Sequence, residues 1–411
     1  MNFGIIGAGP AGIFAALTIK NKNVGNEVHL FDGNQKIGRK LFATGNGRCN
    51  ITNMAAGPRS YYSVKPEDLT PVFNAFPPRV IREKLDALGI PTTATEDGWV
   101  YPQSSSAANV VQILSDALTA AGVHIHTSTR IQKIAQTDDG KFLLSSENGE
   151  ANDIVFDRIL LTSGSKAFPS LGANTTVLSE FFKFDIHDLN FVPALAPISA
   201  KGDIFKKLTG VRMDAEVTLL REQEPLGKTV GNLIFTDYGL NGPAVMNLTH
   251  LIQPKDEAKY AVKLNFLPDT LSRQLDTIFY SHIKQNFPYR SVFLSLLPMK
   301  LVEYFFKIWK IDWDTSCERI DSRTFRVHIK RLQGGIIPIE GVRDGFTSAQ
   351  AAAGGIPLAE VNLRTMQSRK VKGLYFAGEV LDVVGPCGGY NLTWAVATGL
   401  LAGSSAASSA S

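Results

Sequence analysis

The stretch that decides the predicted fold is Asn2-Phe-Gly-Ile-Ile-Gly-Ala-Gly-Pro-Ala-Gly12, at the amino end of the chain. The apolar run before Gly7 predicts a buried strand, and the sequence from Pro10 onward has the composition of a helix. A second strand is predicted over 27–31, which completes a strand–turn–helix–strand unit of about thirty residues. The glycine spacing G-x-G-x-x-G in this context predicts a Rossmann-like α/β domain that binds a dinucleotide.

Each residue of the glycine motif has its own expected role. Gly7 makes the tight turn, Gly9 lets the backbone approach a pyrophosphate, and Gly12 lets helix and strand pack closely. Pro10 and Ala11 belong to the first helical turn, whose N–H groups attract an anion. The alternative is a glycine-rich turn that binds nothing, but the strand and the helix occur in the required order.

Acidic residues after two predicted strands bear on which dinucleotide is bound. Asp32 ends the second strand, 20 residues after Gly12, and a carboxylate there can accept hydrogen bonds from ribose hydroxyls. Near the other end of the chain, the apolar strand 373–377 is followed by Gly378 and Glu379. A late strand that returns to the first domain is typical of FAD proteins of the glutathione-reductase type, so this pattern favours FAD over NAD. The alternative is a solvated Glu379 at an ordinary strand end.

A basic, glycine-rich segment over 38–50 follows the second strand and is a further candidate for the cofactor site. Its positive charge can hold phosphate, whereas its composition alone indicates only a basic loop. The residues expected to contribute are Arg39, Lys40, Gly45, Gly47, Arg48, Cys49 and Asn50.

The segment 385–394 leads into an alanine-rich predicted helix. Gly388 and Gly389 allow a close approach, while Asn391 and Leu392 lie where the helix begins. A helix N-terminus that faces a flavin ring stabilises negative charge on the reduced form. The alternative is a buried helix for which Asn391 is merely the cap.

Composition places the chain among globular proteins. Of its 411 residues, 44% are apolar and 19% are charged, and the formal net charge is +4. This excess is too small and too evenly spread to predict a nucleic-acid partner. No apolar run approaches the roughly 18 residues of a membrane span, and a first strand at Asn2 leaves no room for a signal peptide. We therefore expect a cytoplasmic protein with no membrane partner.

The segment 38–53, Gly-Arg-Lys-Leu-Phe-Ala-Thr-Gly-Asn-Gly-Arg-Cys-Asn-Ile-Thr-Asn, resembles the signature of the BaiN/YhiN-like family of bacterial FAD-dependent oxidoreductases, which includes aminoacetone-oxidase-like proteins. Similar stretches span nearly the whole chain, at 96–104, 161–172, 235–244, 360–368 and 378–391.

The resemblance implies an α/β architecture with a split FAD-binding domain of the glutathione-reductase type, an inserted β-barrel-like domain and a small nested helical domain. The implied limits are 1–190 and 346–411 for the FAD domain, 191–265 and 325–345 for the β-barrel-like insert, and 266–324 for the helical domain.

The resemblance also implies the FAD contacts. They lie at the backbone near Ala11, at Asp32, Arg39, Lys40 and Asn50, at the strand around Ile131, and at Glu379, Asn391 and Leu392. Gly164, in the similar stretch 161–172, is a further candidate for the cofactor site. Two departures leave the substrate and catalytic assignments open. Val384 stands where the family often has an acid, and the segment 351–356 replaces the family's Val-Thr-x-Gly-Gly-Val.

No side chain is assigned as a catalytic acid or base, and no metal site is predicted. Three of the seven histidines, His124, His126 and His328, lie in strand-like runs and are interpreted as structural. Cys49 and Cys387 lie in motifs that we expect to converge. A redox pair needs Cα atoms within about 7 Å and a lowered pKa. Because no C-x-x-C spacing enforces pairing, inert buried thiols are the favoured interpretation.

Two functional hypotheses follow. The first is an oxidoreductase with non-covalent FAD that transfers a hydride to or from a small organic substrate, either as an oxidase or with NAD(P)H as a partner. The chain has no second G-x-G-x-x-G, so a nicotinamide would bind on the flavin face without a domain of its own. The second is an FAD-containing redox sensor, or a module for protein or nucleic-acid partners, without metabolic turnover.

Overall fold

The computed structural model describes residues 1–62, 66–152, 154–172, 177, 190–254 and 257–408. The chain divides into two compact units, and the second is inserted into the first. The first unit is Met1–Val192 together with Gln350–Ser411, and the second is Pro193–Ala349.

The two longest described strands lie in the second unit, and the others have two to six residues. In chain order they are β1 Asn2–Ile6, β2 Glu27–Phe31, β3 Thr52–Asn53, β4 Thr92–Ala94, β5 Trp99–Pro102, β6 His124–His126, β7 Ile131–Gln136, β8 Phe142–Ser146, β9 Val155–Phe156, β10 Arg158–Leu161, β11 Phe191–Ala194, β12 Ile198–Ser199, β13 Arg212–Arg221, β14 Glu224–Thr236, β15 Gly239–Asn241, β16 Tyr260–Asn265, β17 Gly335–Pro338, β18 Gly341–Val342, β19 Ala351–Gly354, β20 Val361–Asn362, β21 Gln367–Ser368 and β22 Leu374–Phe376.

The described α-helices are α1 Pro10–Lys22, α2 Arg39–Ala43, α3 Pro66–Ala75, α4 Pro78–Ala87, α5 Ala107–Ala120, α6 Asp203–Leu208, α7 Pro243–Met246, α8 Ser272–Lys284, α9 Arg290–Leu294, α10 Met299–Trp309, α11 Ser322–Leu332 and α12 Tyr390–Ser408. Within the described part of the chain, none of these helices has the length and apolar content needed to cross a bilayer.

A seven-stranded sheet forms the centre of the first unit, in the order β20-β21-β22-β10-β1-β2-β6. The strands from β22 to β6 run parallel, whereas β20 and β21 pair antiparallel. Ile6 pairs with both Phe31 and Leu161, and Leu161 pairs with Phe376. Four strands therefore end at one level, and the residues that follow them lie at one edge. The late strand β22 returns to this sheet as predicted.

The central strands are apolar along their length because helices cover the sheet. Ile5, Leu160 and Tyr375 are fully buried, which is the pattern of parallel strands that are covered on both faces. The carboxy-terminal α12 packs against α1, β10 and β22. This packing carries the segment that precedes α12 to the same end of the sheet as the glycine turn.

The second unit is built on an antiparallel sheet in the order β17-β16-β13-β14-β15-β12-β18. Helices α8 to α11 contribute to the same hydrophobic core as the strands, with Phe279 and Phe325 stacked 4.2 Å apart between ring centroids. Residues 325–332, which the prediction gives to the β-barrel-like part, belong to α11. The division of the insert into a β-barrel-like and a helical domain stays a prediction.

Candidate functional site

The glycine motif forms the turn between β1 and α1. The Gly7 amide donates to the Phe31 carbonyl oxygen (2.8 Å), and the Gly7 carbonyl oxygen accepts a hydrogen bond from Thr162 Oγ1 (2.7 Å). A Cβ built on Gly9 would meet no described atom within 4 Å, so the turn faces open space there. Among the described residues, α1 has neither a side-chain cap nor an acid in its first turn. Its first N–H groups can therefore receive a pyrophosphate.

Asp32 follows β2 and ties the glycine turn to the next loop. Its Oδ2 accepts a hydrogen bond from the Ala8 amide, and its Oδ1 accepts two from the amide and side chain of Asn34, each at 2.8 Å. Arg39 donates to Asn34 Oδ1 at 3.0 Å, which places its charge beside this network. The carboxylate is thus held at the carboxyl edge of the sheet, and it keeps lone pairs for a ribose hydroxyl.

We expect Asp32→Ala to weaken FAD binding by about 1–3 kcal/mol, because the Ala8 and Asn34 donors lose their acceptor and the ribose contact is lost. Titration of the apoprotein with FAD measures the change. Asp116→Ala, which removes an exposed carboxylate from α5, is the control. Unchanged affinity in Asp32→Ala would show that the ribose assignment is wrong.

Lys40 and Glu379 form an ion pair that joins the basic segment to the Gly-Glu segment. The side chains are 25% and 17% exposed, so the pair is well shielded from water. The other oxygen of Glu379 accepts a hydrogen bond from the Ala352 amide at 3.0 Å. Glu379 is therefore not the solvated strand end that the alternative interpretation assumed.

Two side chains of α12 hold Gly378 at the end of β22. The Gly378 amide donates to Thr398 Oγ1 at 2.9 Å, and Trp394 Nε1 donates to the Gly378 carbonyl oxygen at 3.2 Å. Both partners are buried. The turn after β22 is thus fixed by the same helix that carries the second glycine-rich segment.

The strand β3, which follows the basic segment, contacts the start of α12 directly. Asn53 Nδ2 donates to the Gly388 carbonyl oxygen, and Thr52 Oγ1 contacts Thr393 Oγ1, both at 2.8 Å. Asn391 lies inside the first turn of α12, where its side chain binds the amide and the carbonyl oxygen of Gly385 at 2.9 Å each. Asn391 therefore fixes the preceding loop and is not the residue that precedes the helix.

The remaining predicted residues differ in burial and in their contacts. Ile131 is buried at the start of β7, two residues after Thr129, whose amide donates to the Asp32 carbonyl oxygen at 2.8 Å. Arg48 is exposed, with its guanidinium carbon 4.9 Å from the centroid of the Tyr101 ring. The half-buried Leu392 follows Asn391 in α12, while Pro10 and Ala11 are buried at the start of α1. Gly45, Gly47, Gly164 and Gly389 have positive φ angles.

Ser163 is a candidate that sequence reasoning missed. Its Oγ is buried and has no hydrogen-bond partner among the described residues, and it directly follows Thr162 at the carboxyl end of β10. An unsatisfied buried hydroxyl costs about 1–3 kcal/mol, and a bound cofactor could satisfy it. Its position in the sequence could have indicated this role, because polar residues that follow a central parallel strand lie at the edge of the sheet where ligands bind.

The two thiols near the site lack the properties of a redox pair. Burial raises the pKa of Cys49 to about 11 and that of Cys387 to about 12. All three cysteines are described, and none is in a disulfide. The motifs converge as expected, but a reactive thiol needs a lowered pKa. Burial and the raised pKa values favour inert thiols.

Cys49→Ala and Cys387→Ala are expected to turn over at the wild-type rate, because neither thiol ionises near neutral pH. Titration with a thiol reagent under denaturing conditions should give equal counts for the oxidised and the reduced enzyme. A count that rises by two on reduction, with loss of turnover in both variants, would establish a redox pair instead.

The glycine turn, the acid after β2 and the Gly-Glu after a late strand all lie at one edge of a parallel sheet, which defines a Rossmann-type dinucleotide-binding flavoprotein. The family model for the HI0933-like protein Rossmann domain matches residues 1–405. The chain therefore belongs to the HI0933-like family, and it is an FAD-dependent oxidoreductase.

Curated relatives align along nearly their whole length. A 3-dehydro-bile acid delta(4,6)-reductase of Clostridium scindens is 34% identical, with 98% of each chain covered. A ribosomal RNA dihydrouridine synthase of Escherichia coli is 30% identical, covering 95% of this chain and 94% of the relative. Among solved structures, a 3-ketosteroid dehydrogenase from Rhodococcus jostii has a TM-score of 0.47 and 13% identity, over 98% of this chain and 96% of that chain.

These findings confirm the predicted family, the Rossmann-type α/β fold, the enzyme class and FAD as cofactor. The roles given to individual site residues stay predictions.

Proposed function

We propose that this protein is a reductase that holds FAD non-covalently and saturates an electron-poor C=C bond of a small organic substrate, for which NAD(P)H would supply the hydride through the flavin and solvent would supply the proton. The observation that carries the proposal is the end-to-end similarity to a reductase in a chain whose cofactor motifs converge at one edge of the sheet.

The chemistry of the relatives' substrates supports this reaction. A 3-oxo bile acid that is unsaturated at positions 4 and 6 has C=C bonds in conjugation with a carbonyl group. The uracil ring of uridine, which is reduced in dihydrouridine, also has a C=C bond in conjugation with a carbonyl group. In both cases the carbonyl group withdraws electrons and makes the distant carbon an acceptor for hydride. The reactions that the relatives' names describe are thus of one type, although the substrates differ in size.

Bound FAD supplies the hydride chemistry, and the chain's part is to hold and orient the reactants. The first turn of α12 contains no acid, so its N–H groups present a partial positive charge to a group bound at the N-terminus of this helix. The Lys40–Glu379 ion pair and the Ser163 hydroxyl are the polar groups that we assign to the cofactor.

The segment 351–354 is the part that we assign to substrate choice. Two hydrogen bonds hold it beside the Gly-Glu turn, from Ala352 to Glu379 (3.0 Å) and from Gly354 to Asp382 (2.8 Å). Its side chains are methyl groups or hydrogen where the resembled family has a threonine hydroxyl. Ala351 and Ala352 are buried, whereas Ala353 and Gly354 are half-buried and offer a substrate no polar side chain. This apolar character favours an apolar substrate over a charged one, and a net charge of only +4 gives RNA binding little support.

The test is anaerobic reduction of the flavin by NADH or NADPH in a stopped-flow spectrometer, followed by mixing with acceptors. The acceptors are a 3-oxo-Δ4,6 steroid, its saturated 3-oxo analogue as the matched control, and unmodified ribosomal RNA. We expect NAD(P)H to bleach the flavin absorbance and the unsaturated steroid to restore it, while the saturated analogue leaves the flavin reduced.

Other outcomes contradict the proposal. Reoxidation by ribosomal RNA alone would assign the nucleic-acid reaction instead. A flavin that none of the three acceptors reoxidises would favour the redox sensor or partner-binding module. A flavin that neither NADH nor NADPH reduces would contradict the assigned electron donor.

A further inference from the structure

We propose that a divalent transition-metal ion of the Zn²⁺ class binds Glu27, His29 and His124 on one face of β2 and β6, outside the cofactor site. The ion would be held by two imidazole nitrogens and one carboxylate oxygen. Two further residues, His126 and Glu150, would not touch the ion but orient the His29 ring through polar contacts at its Nδ1. We call these five residues the histidine cluster.

Strand register brings the cluster together. His29 of β2 pairs with His124 of β6, and Phe31 pairs with His126, in parallel register. Because side chains alternate between the faces of a strand, Glu27 and His29 share a face, and so do His124 and His126. The His29 ring stacks on both β6 histidines, with centroids 4.7 Å from His124 and 5.3 Å from His126, so all four side chains lie on the same face.

The ligand atoms are spaced for one ion. Glu27 Oε2 lies 3.4 Å from His124 Nε2 and 3.9 Å from His29 Nε2, and the three ligand atoms all lie within 4.8 Å of one another. Ligands of a tetrahedral zinc ion with bonds of about 2.1 Å are about 3.4 Å apart. The Glu27 and His124 side chains are 64% and 54% exposed, so both can rotate toward the buried His29 to close the remaining gap.

A chain of polar contacts that ends at His29 Nδ1 determines which ring nitrogen of His29 carries the proton. Thr129 Oγ1 donates to Glu150 Oε2 at 2.9 Å, and the same carboxylate oxygen lies 3.6 Å from His126 Nδ1. The carboxylate favours a proton on that nitrogen, which leaves His126 Nε2 to accept a hydrogen bond from His29 Nδ1 at 3.0 Å. His29 Nε2 is then unprotonated, and it lies 3.9 Å from Glu27 Oε2. A carboxylate–histidine arrangement of this kind orients the ligands of protein zinc sites.

The donor set indicates which metal would bind. His29 is the most buried of the three ligands, with a side chain that is 13% exposed. Two nitrogens and one carboxylate oxygen suit Zn²⁺, with water as a fourth ligand, better than Mg²⁺ or Ca²⁺, which prefer oxygen.

An ion at this site would join the edge strand β6 to β2. Glu27 is the first residue of β2, whereas Asp32 follows its last residue, so the ion would lie away from the cofactor edge. We therefore expect the metal to stabilise the first unit and to leave the flavin spectrum unchanged.

The test uses FAD-loaded protein without a histidine tag, stripped of metal with a chelator. Isothermal titration with Zn²⁺ should show one saturable equivalent, and Zn²⁺ should raise the melting temperature. Co²⁺ should give d–d absorption at wavelengths beyond the flavin bands, which reports the ligand geometry directly. Mg²⁺ at the same concentration should do none of these.

Variants assign the binding to the cluster. His124→Ala and Glu27→Gln alter exposed side chains, so both should fold and bind FAD normally but lose the saturable Zn²⁺ equivalent and the Co²⁺ absorption. His126→Gln should weaken Zn²⁺ binding by about 10–100-fold, as expected for a residue that hydrogen-bonds to a metal ligand without touching the ion. His282→Ala, in α8 of the second unit, is the matched control and should bind as the wild type does. Absence of a saturable equivalent, or binding that His124→Ala leaves unchanged, would overturn the proposal.

Discussion

Gly9→Ala is expected to leave the protein folded but to weaken FAD binding by about 1–3 kcal/mol, which corresponds to roughly 5- to 150-fold in Kd. Gly9 has φ −78° and ψ −177°, a conformation that alanine adopts without strain. A Cβ at this position meets no described protein atom within 4 Å. The methyl group would therefore occupy only the space that the glycine motif leaves for a pyrophosphate.

Gly12→Ala, in contrast to Gly9→Ala, is expected to act on folding first. Its Cβ would lie 2.0 Å from the Gly7 carbonyl oxygen and 2.7 Å from Thr162 Oγ1, so backbone would have to shift. We expect the free energy of unfolding to fall by about 1–3 kcal/mol or more, with loss of FAD as a consequence. Gly57→Ala, at an extended position with open space around the new Cβ, should change neither property.

Urea unfolding of the apoproteins and fluorescence titration with FAD measure the two effects separately. Wild-type affinity in Gly9→Ala would place the pyrophosphate elsewhere. Loss of stability in Gly9→Ala without added FAD would mean that the open space at the turn belongs to the protein's own packing.

The second large effect is a loss of stability in acid that depends on His328. This side chain is 5% exposed in α11, where Trp309 stacks on its ring at 4.1 Å between centroids and the Tyr289 hydroxyl lies 2.9 Å from Nδ1. Burial, with a smaller effect of Arg331, lowers its pKa to about 4 from an unfolded value of 6.5. Between these values the unfolded chain binds more protons than the folded chain, so stability falls as the pH falls.

His328 alone should therefore lower the free energy of unfolding by up to about 3 kcal/mol as the pH falls from 6.5 to 4, with no effect above pH 7. His328→Gln keeps a hydrogen-bonding partner for Tyr289 but cannot titrate. Urea unfolding at pH 7.5, 5.5 and 4 should show a shallower pH dependence in the variant. Burial also lowers the pKa values of His29 and His250 to about 4. Both residues are present in the wild type and in the variant, so their contributions to the pH dependence of unfolding cancel in the comparison. Parallel pH profiles for the two proteins would contradict the prediction.

Much of the cofactor site could be predicted because its motifs are local. The strand, the glycine turn and the helix N-terminus follow one another within Asn2–Lys22, and each depends on neighbours in the sequence. The Rossmann-like fold followed from this unit, FAD from the later Gly378-Glu379 segment, and the family from the resemblance carried by 38–53 and similar stretches. Ser163 was missed because its unsatisfied hydroxyl is a property of its burial, which the sequence does not display.

The sequence by itself determined the βαβ unit, the late Gly-Glu strand and FAD as the cofactor, because glycine spacing and apolar runs constrain the backbone locally. The tertiary structure alone decided which distant side chains meet. Lys40 and Glu379 are 339 residues apart, and they pair because β22 returns to the sheet two strands from β1, beside β10. His29 and His126 are 97 residues apart and meet because β6 pairs with β2 in one register. Strand order and register depend on the packing of the whole unit, so no local pattern specifies such pairs.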